Sequence, residues 1–125
     1  MFSKKLEYGY VILKLLKNTN EINKISGKDI IQEGNIPPNM GLSILSELSR
    51  GGLIKSLKGK NGGFYRENSR EITLFELFQV LENQGKQMKP FFNEEFRNDV
   101  VYIGAMVMQE MANIKILNKS YLGKK

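Results

Sequence analysis

The chain has 125 residues, 41% of them hydrophobic, and carries 19 Lys+Arg against 13 Asp+Glu for a formal net charge of +6. That length suits one domain with a modest core. It contains neither cysteine nor histidine, which excludes disulfides, thiolate metal sites, zinc fingers, cysteine nucleophiles and histidine-based hydrolysis.

No apolar run approaches the ~20 residues that span a bilayer, and the start, MFSKKLEYGY, lacks the apolar block of a signal peptide. A cytoplasmic protein without membrane contact is the expectation. Ser3 can cap a first helix over 4–17, whose apolar face is built from Leu6, Tyr10, Leu13 and Leu16 and widened by Val11, Ile12 and Leu15. Ile22 and Ile25 are apolar residues in a polar connector and suggest a short strand edge. Ser26 to Asp29 fits a Ser-x-x-acid cap and opens a short second helix over 27–33 that buries Ile30 and Ile31. Gly34 and Asn35 can close it in the left-handed conformation.

Ile36-Pro37-Pro38 reads as a turn, with Pro38 at the first helical position. A third helix over 38–50 has a thin apolar stripe of Ile44, Leu45 and Leu48 with Leu42 flanking; Asn39, Ser43, Ser46, Glu47 and Ser49 fall on the other faces. Short polar side chains over a thin anchor suit a helix that enters the major groove; a serine-rich solvent face is the ordinary alternative. Gly51-Gly52 releases the chain into a strand over 53–57, a loop over 58–63 and a strand over 64–66. Asn61-Gly62 predicts the hairpin turn through positive φ. Lys58, Lys60 and Arg66 cluster on and beside the loop, placed to neutralise phosphates. The loop lacks the following helix and the Gly-Lys-Ser/Thr ending of a nucleotide cradle.

Thr73-Leu74-Phe75-Glu76 is a second capping box, opening a fourth helix over 73–83 that buries Leu74, Phe75, Leu77, Phe78 and Leu81. Residues 83–93 form a linker. Asn93, Glu94 and Glu95 start a last helix over 94–118. Between Val100 and Met108 it is apolar nearly all round, and a helix apolar on two faces calls for two neighbours. Gly104 and Ala105 permit close approach. A homodimer is therefore expected, with Val100, Ile103, Gly104, Val107, Met111 and Ile114 as its seam. The methionines read as core or seam rather than metal ligands.

Charge is segregated. Residues 1–66 hold eleven Lys+Arg and five Asp+Glu, whereas residues 67–125 hold eight of each. The whole excess lies in the half with the basic hairpin, as in a polyanion-binding half joined to a neutral half. The organisation is a mainly α fold with a small β-hairpin wing: a winged helix-turn-helix over 1–82, a linker over 83–93, and a long dimerisation helix and tail over 94–125.

Four segments then resemble one family. They are the opening around Phe2-Ser3-Lys4-Lys5 and Glu7-Tyr8-Gly9; Ile36-Pro37, Ile44-Leu45, Leu48 and Gly52-Leu53-Ile54; Ser56, Lys58-Gly59 and Gly62-Gly63-Phe64; and Ile72-Thr73-Leu74 with Leu81-Glu82. In this order they are similar to the Rrf-two family of bacterial winged-helix transcriptional regulators. The resemblance implies a homodimer on a near-palindromic operator. It places the start of the third helix in the major groove, with Asn39, Met40 and Ser43 facing bases, and Lys58, Lys60 and Asn61 on the wing; Pro38 and Arg66 complete the expected DNA-binding set. Many members hold an iron–sulfur cluster on linker cysteines; this chain has none, so no cofactor is expected. It also has Met40-Gly41 where an aromatic-leucine pair is common, and Lys58 where arginine is common. A glycine there costs about 1 kcal/mol of helix propensity, which suggests a late helix start or altered base preference.

The function expected is a sequence-specific regulator of transcription, a repressor, that binds double-stranded DNA, with an unidentified small-molecule effector left open. The alternative is a winged-helix accessory protein in plasmid or mobile-element replication or transfer, or a protein-interaction module. Scattered carboxylates argue against an enzyme.

Overall fold

The computed structural model describes residues 3–82 and 97–118. The linker expected over 83–93, Phe91, Phe92, the helix start at 93–95, Phe2 and the tail after 118 lie outside the described residues. So does the side chain of Val100.

The first helix, α1 (Lys4–Leu15), begins where Ser3 Oγ accepts the Leu6 amide. It buries Leu6, Ile12 and Leu13. α2 (Gly27–Gly34) starts from Ser26, whose Oγ accepts the Asp29 amide, and stops at Asn35 in the left-handed conformation, φ 51°. α3 (Pro38–Arg50) follows after a short turn, with Pro38 at its start as the fixed proline φ favours. α1 packs on α2, α3 and α4 (Leu74–Glu82), and α2 on α3. Thr73 and Glu76 cap α4 reciprocally: each side chain accepts the other's backbone amide at 3.2 Å.

Between α3 and α4 runs an antiparallel hairpin, β1 (Lys55–Leu57) with β2 (Gly63–Tyr65), pairing Ser56 with Phe64. Two strands alone are marginal in water. This hairpin is held by a third segment, for Ile25 and Phe64 exchange backbone hydrogen bonds of 3.0 and 2.8 Å. Ile25 thus forms the strand edge expected of it, while Ile22 is 88% exposed. Gly63 makes the contact feasible: a Cβ there would lie 2.7 Å from the Ile25 carbonyl oxygen. The hairpin turn differs from expectation. The Gly62 amide bonds to Gly59 O, which places Lys60 and Asn61 at the corner, and the positive φ falls on Gly59 rather than on Asn61 or Gly62.

The last helix, α5 (Arg97–Asn113), ends five residues before its expected end at 118. Its continuation runs extended along the start of α4: Leu74 N bonds to Ile114 O, and Ile116 N to Ile72 O. Ile114-Lys115-Ile116 is a β-branched alternating run of the kind that favours strand, and it directly follows the apolar periodicity of the helix. The core gathers around Ile12, Leu13, Leu16, Ile44, Leu48 and Leu77, all fully buried. Each contributes on the order of 1.5–3 kcal/mol by leaving water. Ile116 closes this core from the C-terminal side. Among the described residues no helix is long and apolar enough to cross a membrane.

Candidate nucleic-acid interface

α2, the turn at Ile36-Pro37 and α3 form a helix-turn-helix, and Gly41 explains how closely its helices cross. Gly41 is buried, and a Cβ there would lie 2.7 Å from Ile31 Cγ1 on α2 and 3.3 Å from Ile36 Cγ2. The helix does not begin late: it runs through Gly41 from Pro38. The glycine's propensity cost is the condition for seating α2 against α3.

The buried side of α3 comprises Gly41, Ile44, Leu45, Glu47 and Leu48. Pro38, Asn39, Met40, Leu42, Ser43, Ser46 and Arg50 are exposed. Two positions differ from the sequence reading. Leu42, expected to flank the buried stripe, is 57% exposed. Glu47, expected on a solvated face, is buried and takes a 3.0 Å ion pair from Lys5 on α1. The lysine side chain is itself partly exposed, at 33%, against 8% for the glutamate.

The wing lies beyond the C-terminal end of α3. Ser49 Oγ and Ser56 Oγ approach to 3.4 Å, joining the helix to β1. Lys58, Gly59, Lys60 and Asn61 are exposed at the wing tip. Thus Pro38, Asn39, Met40 and Ser43 share the outer side of α3, and Lys58, Lys60 and Asn61 share the wing.

Arg66 does not join them. It is only 1% exposed. Its guanidinium donates to Leu13 O at 3.2 Å and Ile116 O at 2.7 Å, while its own amide bonds to Thr19 Oγ1. A guanidinium enclosed in this way cannot reach a phosphate; it ties the foot of the wing to α1 and to the segment after α5. The sequence signal was misleading because Arg66 follows a basic loop, yet β2 turns inward before it. A clue existed in Thr19, a lone hydroxyl among asparagines, which is itself buried. Nearby, Lys14 Nζ donates to Leu117 O. Burial, and then the charges of Arg66 and Lys17, lower the Lys14 pKa from its ordinary 10.5.

The expected seam is also rearranged. Met111 is buried and belongs to the core, and Gly104 is half-buried with nothing within 4 Å of where its Cβ would be. Tyr102, Ile103, Met106 and Val107 are exposed by half or more, with Ile114 at 48%.

A protein-family model described as Rrf2, iron-dependent transcriptional regulator, matches residues 2–119. Among solved structures, the chain is similar to IscR of T. potens, at 19% identity and TM-score 0.71, over 93% of this chain and 82% of that one. It is similar to CymR, the global cysteine regulator of B. subtilis, at 24% identity and TM-score 0.66, over 93% and 92%. It is also similar to the oxidised form of Staphylococcus aureus CymR, at 21% identity and TM-score 0.70, over 100% and 97%. At such identities these likenesses establish the fold. No curated protein matches the sequence. The family description names iron, but the donor set here does not fit an iron–sulfur cluster. Such clusters are held by cysteine thiolates, the chain has neither thiol nor imidazole, and among the described residues no three carboxylates gather as a metal site.

Proposed function

Because the chain belongs to the Rrf2 family of DNA-binding transcriptional regulators, we propose that it acts as a homodimeric repressor on a palindromic operator, without iron. One observation carries the reading. The outer side of α3, with Asn39, Met40 and Ser43, and the wing tip, with Lys58, Lys60 and Asn61, are both exposed and are linked through Ser49 and Ser56. Such a helix can enter a major groove while the wing lysines meet the flanking backbone. The charge excess of residues 1–66 favours the same partner.

Dimerisation through α5 is supported by its exposed Tyr102, Ile103, Met106 and Val107, since an apolar helix face of that extent favours a partner. Two-fold pairing of the chain would match a two-fold operator.

Genome-wide mapping of bound fragments tests the proposal. The expected result is an inverted repeat in promoters, protected by the purified protein. Protection confined to replication or transfer origins would replace repression with an accessory role, and protein partners without any bound DNA would leave only an interaction module.

A further inference from the structure

The outward row of α3 contains an anomaly. Asn39, Leu42, Ser43 and Ser46 are all exposed, and their spacing of three, four and seven residues puts them on one helix face. Three are short and polar. The fourth is a leucine with 57% of its surface open. A lone exposed leucine is ordinary on a protein surface; one seated within a polar row, more open than the apolar Met40 on the same helix at 38%, and on a helix tied at its far end to a basic wing, is not. The row extends about 10 Å along the helix at 1.5 Å per residue, which matches roughly three stacked base pairs at about 3.4 Å each. Asparagine and serine can exchange hydrogen bonds with base edges. Leucine can only make apolar contact, and the major groove offers one apolar group, the C5-methyl of thymine.

We propose that Leu42 is a specificity-determining residue, packing against a thymine methyl in the operator between the base-edge contacts of Asn39 and Ser43. The inference rests on the DNA-binding reading above and deepens it. It also gives the outward leucine a task that the core does not supply: the buried side of α3 is complete without it, through Ile44, Leu45 and Leu48.

The test uses the full chain and the duplex it selects most strongly from a random-sequence pool. Each thymine is replaced in turn by deoxyuridine, which removes the methyl and leaves base pairing intact. At one or more positions the replacement is expected to weaken wild-type binding about fourfold, the effect of one buried methyl-sized group. Leu42→Ala binds the parent duplex correspondingly less well and is indifferent to uracil at that position, with an unchanged melting temperature because the side chain points to solvent. A fresh selection with Leu42→Gln is expected to exchange the thymine preference there for adenine. Uracil-insensitive binding by the wild type overturns the assignment, as does uracil sensitivity that survives in Leu42→Ala. A change in sedimentation of Leu42→Ala with an unaltered uracil profile also overturns it, by making Leu42 a protein contact. Failure of the wild type to bind any duplex in a salt-dependent way is a separate result and removes the regulatory reading itself.

Discussion

Arg66 and Lys60 belong to one hairpin and meet opposite environments. Lys60 is exposed at the turn, whereas Arg66 is enclosed and bonded to Leu13 O and Ile116 O. Arg66→Met would leave those two buried carbonyls short of a donor, a loss of about 2–6 kcal/mol at roughly 1–3 kcal/mol for each unsatisfied group. Urea denaturation should show it as a lowered midpoint, while the salt dependence of DNA binding keeps its slope; a reduced slope at unchanged stability would put Arg66 back on the phosphates. Lys14 offers a check by pH. Its pKa is lowered on folding, so between the folded value and 10.5 the unfolded chain holds more protons. The charged lysine therefore penalises the fold below that window, and the penalty lifts as pH rises through it. Stability of the wild type should climb relative to Lys14→Met as pH approaches 10.5, measured by denaturation across the alkaline range. Parallel curves for the two proteins would contradict the shift.

At the scale of elements, helix-turn-helix and wing depend on two contacts that composition hides. Gly41 seats α2 on α3, and Gly63 seats the wing on Ile25. Gly41→Ala gains about 1 kcal/mol of helix propensity but overpacks Ile31 and Ile36 at a cost of about 1–3 kcal/mol. The expected net is a destabilisation of about 1 kcal/mol, with weaker DNA binding because α3 is tilted; a stabilised variant with intact binding would show that Ile31 yields freely. On the proposed DNA-binding reading the wing acts through charge rather than packing, since Lys58 and Lys60 are exposed. Neutralising both should leave the melting temperature unchanged and reduce the slope of log affinity against log salt by roughly two for each protomer bound, at about 0.9 per phosphate. Most of these elements were legible beforehand. Ser3, Ser26 and the Thr73–Glu76 pair cap helices where their spacing places caps, because capping is local chemistry. The end of α5 was not legible, because the strand-like pairing of Ile114 and Ile116 needs the backbone of Ile72 and Leu74, some forty residues away.

For the whole molecule, two halves are coupled by a short stitched segment. Lys14, Arg66, Ile72 and Leu74 all bond backbone groups between Ile114 and Leu117, which fixes the chain after α5 to the foot of the wing. If α5 pairs two copies, Ile103→Asp with Val107→Asp should give a folded monomer by sedimentation and weaken operator binding by at least tenfold, through loss of the second half-site. A dimer that persists in this variant would place the seam elsewhere. Iron should have no part in the response. Chelators and thiol oxidants are expected to leave DNA affinity unchanged, since thiolate and imidazole ligands are lacking throughout; a chelator-sensitive affinity would contradict this.

Composition and local pattern thus determined the class: a cysteine-free, histidine-free winged helix with its positive charge in the half that carries the helix-turn-helix and wing, because caps, turns and net charge depend on neighbours along the chain. Only the tertiary structure decided which side chains are available. Arg66, Glu47 and Met111 were withdrawn into the interior and Leu42 was left outside. Burial is set by what lies opposite a residue in space, and Lys5, Leu13, Ile116 and Ile31 come opposite their partners only when the helices have packed.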